Sequence, residues 1–128
     1  MSKFLLFFIM VQLHIVDDYY LQGVLAQMKQ KKWWIDNEEY KPLYKYDYIV
    51  ALITHGFSWS FTVHVPFIVL YFMNSNINQY TLIFSIIIHT CIHTYVDNMK
   101  ANKRCINLLV DQLIHMIQLI IILIIMMI

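Results

Sequence analysis

Four apolar stretches of near-membrane length constrain this chain more than any other feature: roughly Phe4 to Ala26, Tyr48 to Met73, Tyr80 to Met99 and Ile106 to Ile128. About 20 helical residues cover a hydrocarbon core, and a spanning segment must satisfy its backbone polar groups internally. With two glycines and two prolines in 128 residues, long helices are the economical solution. The hydrophobic fraction of 60% is above, and the charged fraction of 13% below, the balance usual for a soluble domain. The expectation is an all-α, integral membrane four-helix bundle: a single transmembrane domain over residues 1–128, with one polar loop at 27–47.

The N-terminal run "FLLFFIMV" after Lys3 also fits the start of a secretory signal. It leads into Gln12, His14, Asp17 and Asp18 rather than a small-residue cleavage site, so a retained first helix is expected. Cys91 and Cys105 have no metal-like spacing and suggest neither a disulfide nor a thiolate site.

Charge placement predicts topology. Lys29, Lys31, Lys32, Lys41 and Lys45 lie between the first two stretches, and Lys100, Lys103 and Arg104 between the last two, whereas "NSNINQ" between the second and third has none. A four-span chain places both basic loops on one side, which the positive-inside rule makes cytoplasmic, leaving both termini outside. The segment "KQKKWW" reads as juxtamembrane, its lysines at anionic headgroups and its tryptophans at the interface, rather than as a nucleic-acid site. The loop "IDNEEYKPLYKYD" is expected to hold a surface turn or short interfacial helix, irregular at Pro42.

Polar residues recur inside the apolar stretches at helical spacing. His14, Asp18 and Gln22 form one stripe; His55 is followed by Ser58 and Thr62; His89, His93 and Asp97 lead to Lys100; Asp111 and His115 are followed by Gln118. At about 1.5 Å of rise per residue from the basic ends, His93 and Asp111 lie about 10 Å deep, and Asp18, His55, His89 and His115 about 15 to 17 Å. His14 lies deeper and Asp97 shallower, so the stripes describe one polar cavity.

An aspartate at the centre of a membrane helix costs about 2.5 to 3.5 kcal/mol, so Asp18 and Asp111 need partners. Imidazoles with carboxylates are ligand types for a divalent metal, zinc being the expected ion, in one or two copies. The expected metal ligands are His14, Asp18, His55, His93, Asp97, Asp111 and His115, with Gln22 and Gln112 orienting them or holding a bound group. His64 is nine residues from His55, on the opposite face, and fits a helix contact better than a ligand. His89 fits a supporting contact, and Asp17, off the stripe, is open between solvation, pairing and support.

In their order, "HIVDDYYLQ", a single histidine in the second stretch, "HTYVDNMK" and "DQLIH" resemble the motifs of the domain of unknown function 3307 family, small integral-membrane proteins of bacteria and phages. The likeness maps onto His14, Asp18 and Gln22; His55; His93, Asp97 and Lys100; and Asp111, Gln112 and His115, and covers nearly the whole chain. Asp17 stands where members often have a small residue, and Tyr19 where phenylalanine is common. The resemblance implies no established activity. A looser likeness, to membrane-embedded metal-dependent hydrolases, is one of analogy.

The functional expectation is a metal-dependent hydrolase acting on a lipid-like, membrane-accessible ester. Asp18 or Asp111 takes a proton from water and Lys100 neutralises developing negative charge. Its alternatives are a proton or ion transporter using the same residues, and a small module that binds membrane proteins, its polar groups fastening helices. Partners expected are the lipid bilayer, a lipid-like substrate or a membrane protein, with an oligomer allowed and no nucleic acid.

Overall fold

In the computed structural model, which describes residues 2–36, 42–73 and 76–128, every regular element among the described residues is helical. The long helices are α1 (Lys3–Ile15), α4 (Asp47–Phe72), α5 (Gln79–Ala101) and α6 (Leu108–Met127), with short helices α2 (Leu25–Met28) and α3 (Lys31–Ile35) between the first two. Residues 37–41 of the expected polar loop, Lys41 among them, lie outside the described residues, as do Asn74 and Ser75 of the uncharged connection. Pro42 opens a 3-10 turn, Pro42–Tyr44.

Local chemistry sets several boundaries. The Asn78 side chain accepts from the Tyr80 and Thr81 amides at the start of α5, and Asn107 accepts from the Val110 amide at the start of α6. Pro66 stands inside α4 without ending it. Gly56, also on α4, marks a close approach: a Cβ there meets the Thr94 side chain and comes within 3.0 Å of the Thr90 carbonyl on α5. The turn after α5 carries Arg104 at φ 53, in the left-handed region.

The first apolar stretch departs from a single helix reaching Ala26. After Ile15 it passes into a π-helical segment, Val16–Leu21, and Gly23 at φ 50 then turns the chain before α2. The wider π winding reduces the angular offset between consecutive residues, so Asp17 and Asp18 both point inward and are buried.

Helix α1 packs against α4 and α6, and α5 packs against the same two, so the four long helices enclose an interior. Towards the start of α1 and the end of α6 this interior is apolar, with Leu6, Met10, Val63, Phe67, Leu119, Ile122 and Met126. Towards the ends joined by the basic segments it is polar. All six histidines of the chain are buried there or just below, while Phe8, Phe57, Phe84 and Ile117 lie on the outside, each more than half exposed. Two segments, Lys3–Leu21 and Leu108–Met127, are long and apolar enough to cross a membrane. Helices α4 and α5 have comparable length, at 26 and 23 residues, but carry more polar residues.

Candidate metal centre

Each long helix contributes to the polar interior through residues one turn apart. His14 and Asp18 come from α1 and its π-helical extension, His55 and Trp59 from α4, His93 and Asp97 from α5, and Asp111 and His115 from α6. Helical i,i+4 spacing directs both members of each pair inward. Trp59 floors the cluster, its ring stacked on His93 at 4.2 Å between centroids.

The outer side is held by charge pairs and amides. Lys29 Nζ donates to Asp97 Oδ2 at 2.5 Å, and Lys100 Nζ donates to Asp111 Oδ2. Gln22 donates to Asp18 Oδ1 at 2.8 Å. Gln112 Nε2 donates to Asp18 Oδ2 at 3.0 Å and to Asp111 Oδ2 at 3.2 Å. Ionised carboxylates only accept, so the amide of Gln112 must turn its nitrogen towards them and its oxygen towards His14.

That orientation settles the state of His14. Its Nε2 donates to Gln112 Oε1 at 3.0 Å, and its Nδ1 accepts from the Trp59 indole at 2.7 Å. Indole N–H is a donor only, so the ring is neutral with both nitrogens engaged. His14, expected as a metal ligand, is therefore a supporting residue in this arrangement, because its one lone pair is taken by Trp59.

The inner atoms behave differently. Asp97 Oδ1, Asp111 Oδ1 and His115 Nε2 are buried without a hydrogen-bond partner, and His115 Nε2 faces the two oxygens at 3.7 and 3.4 Å. With His115 Nδ1 donating to Gln118 Oε1 at 3.0 Å, Nε2 points at two anionic oxygens and carries either a proton or, in a neutral ring, a lone pair. A lone pair and two carboxylate oxygens need a cation or a proton between them. Nearby, His55 Nε2 lies 3.2 Å from Asp18 Oδ1 and 3.2 Å from His93 Nε2, and 3.4 Å from Asp97 Oδ2.

Three overlapping sets have their ligand atoms within 4.8 Å of one another: Asp18, His55 and His93; His93, Asp97 and His115; and Asp18, Asp111 and His115. Six of the seven expected ligands are thus brought together. Four buried carboxylates, counting Asp17, face the two ammonium groups of Lys29 and Lys100, so two negative charges remain when the imidazoles are neutral. That balance fits one divalent cation, and imidazole with carboxylate suits several first-row ions.

Asp17 is a buried support. Ser58 and Thr62 donate to its Oδ1 at 2.7 and 3.2 Å, and its Oδ2 faces His55 Nδ1 across 3.7 Å. His89 lies beyond the cluster, its Nδ1 accepting from Gln118 Nε2 at 3.4 Å. His64 is bound to the Ser60 carbonyl and, across helices, to Ser85. Cys91 and Cys105 are free and exposed.

Two residues at the site escaped the sequence reading. Lys29 was expected at lipid headgroups with the rest of its basic segment, yet it is 5% exposed and paired with Asp97, whereas Lys31, Lys32 and Lys45 are exposed. The excess of carboxylates over buried cations was its one signal. Trp59 had a plainer one, lying one turn from His55.

Comparison with protein-family models, with curated proteins and with solved structures finds no match to this chain.

Proposed function

We propose that this chain is a multi-pass integral membrane protein in which α1, α4, α5 and α6 form a four-helix bundle around a divalent metal site, and that the site serves hydrolysis of a membrane-accessible ester. The basic ends are assigned to the cytoplasmic side, with both termini outside. The ordered motifs that resemble the domain of unknown function 3307 family support grouping the chain with it.

One observation carries the metal reading: Asp97 Oδ1, Asp111 Oδ1 and His115 Nε2 are buried and unpartnered, and His115 Nε2 lies 3.7 and 3.4 Å from the two oxygens. Uncompensated polar atoms in an interior are costly, and a cation beside His115 offsets that cost. The membrane reading is supported by the distribution of side chains, with six histidines and Asp17, Asp18, Asp97 and Asp111 inside and Phe8, Phe57 and Phe84 outside.

Zinc is the proposed ion, and a divalent cation there supplies Lewis acidity. Asp18 or Asp111 takes the proton of the attacking water, and Lys100 offsets negative charge that develops on the ester oxygen. Gln22 and Gln112 hold the carboxylates in place. Elemental mass spectrometry of detergent-purified protein tests the site. One or two equivalents of zinc or another transition metal, lost in a folded His93→Ala/Asp111→Ala variant, is the expected result; folded wild type that stays metal-free after supplementation overturns it.

A proton path is the second reading, and one feature favours it. From His115 the buried polar groups continue through Gln118 to His89, whose ring lies 6.0 Å from that of His64. Metal-independent proton flux into liposomes, abolished in His89→Phe, is the outcome that selects this reading.

A further inference from the structure

A cavity of about 420 Å³ opens beside the candidate metal centre at its basic end. Asp18, Gln22 and Gln112 line its inner side, and Lys29, Lys100 and Arg104 line it as well. The three cations come from three places: the end of α2, the last turn of α5 and the turn after α5. Their convergence is therefore a property of the tertiary structure and not of one basic run.

The two lysines occupy the outer oxygens of their carboxylates, Oδ2 of Asp97 and Oδ2 of Asp111, while the inner Oδ1 atoms face the ion site. An ammonium carries three donors, so a lysine bound to one carboxylate oxygen keeps hydrogen-bonding capacity for a group in the cavity. Arg104 adds a planar fork suited to phosphate oxygens.

Charge decides what this mouth attracts. Asp17, Asp18, Asp97 and Asp111 against Lys29, Lys100 and Arg104 leave one net negative charge with neutral imidazoles. A divalent cation turns that into one net positive charge. Filling the cluster thus makes the cavity more positive and favours an anion there.

We propose that the cavity binds the phosphate group of a phosphate ester once a divalent cation occupies the His/Asp cluster, with Lys29, Lys100 and Arg104 as its cationic contacts. This rests on the metal reading above and gives the ester of that reading its chemical class. Tyr19 and Leu108 also line the cavity and are 56% and 57% exposed, and they stand at the cavity ends of the two segments apolar enough to cross a membrane. An apolar tail on the phosphate has surface to follow there, so a lipid headgroup and a free phosphate are separated by experiment.

The test is isothermal titration of inorganic phosphate into protein in phosphatidylcholine nanodiscs, zinc-loaded with free zinc removed, and into chelator-stripped protein. Phosphate is expected to bind the loaded form about tenfold more tightly, a coupling of ordinary size for two linked sites. Arg104→Gln, at an exposed position outside the ligand sets, is expected to weaken phosphate binding by about tenfold while zinc content stays constant. Lys100→Gln is expected to act in the same direction. A second arm places phosphatidic acid in the nanodiscs. Loss of inorganic phosphate binding there assigns the site to a lipid headgroup; unchanged binding assigns it to a soluble phosphate; either supports phosphate recognition. Zinc retained with phosphate binding absent, or equal in loaded and stripped protein, or indifferent to Arg104→Gln, overturns this inference and leaves the metal site standing. Absence of zinc overturns both.

Discussion

Lys29 and Asp97 are buried against each other across 68 residues of sequence, the ammonium 2.5 Å from Oδ2. The pair fastens the segment after the first apolar helix to the last turns of α5, and Asn102 reinforces the join by donating to the Lys29 carbonyl at 3.0 Å. A buried ion pair contributes little net stability when intact, but removing one partner strands a charge.

Replacing Lys29 by Met is therefore expected to destabilise the metal-free protein by about 3 to 5 kcal/mol, because Asp97 loses its counter-charge. Lys29→Met/Asp97→Asn removes both charges and recovers most of that loss. Thermal unfolding in detergent, read as a double-mutant cycle, checks the coupling. Equal stability of the single and double variants argues against the pair.

Ser58 and Thr62 act on the site through Asp17, which in turn faces His55. Partners that hydrogen-bond a ligand directly are worth about 10- to 100-fold in metal affinity, and Ser58 and Thr62 stand one residue further out. The Ser58→Ala/Thr62→Val variant is expected to bind zinc more weakly, by up to about tenfold, with its fold intact. Competition against a chromogenic chelator, alongside circular dichroism, measures both.

Metal binding requires neutral imidazoles and ionised carboxylates, so protons compete with the ion. Affinity is expected to fall as the pH is lowered from about 8 to about 5, protons displacing the ion from the imidazoles. Zinc content after equilibration in buffers spanning that range gives the profile. A flat profile is incompatible with histidine ligation.

The two cysteines test the proposed membrane topology without any substitution. Both are exposed, Cys91 midway along α5 and Cys105 in the turn beyond it. A membrane-impermeant maleimide is expected to label Cys105 in inside-out vesicles and not in intact cells, while Cys91 reacts only after detergent is added. Mass spectrometry of labelled peptides separates the two sites. Labelling of Cys91 in sealed vesicles of either orientation rules out its burial in lipid.

Much of this arrangement is legible in the chain because helices are local objects. The long apolar stretches and their sparse glycine and proline specify helices, and i,i+4 spacing places His93 with Asp97 and Asp111 with His115 before any packing is known. The all-helical structure follows that pattern. The stripes also anticipate which residues meet, since Asp18, His55, His93, Asp97, Asp111 and His115 share overlapping sets of neighbouring ligand atoms.

Other features are set between helices. Lys29 reads as one basic residue among several until α5 brings Asp97 to it. Asp17 sits off the stripe of an ideal helix and turns inward because the chain winds as a π-helix through Val16–Leu21. His14 has the spacing of a ligand, yet Trp59 and Gln112, from two other helices, consume both of its nitrogens. Helical spacing determines which face of its own helix a side chain occupies, but hydrogen bonds and charge pairs across an interior depend on which faces meet, and only the packed chain decides that.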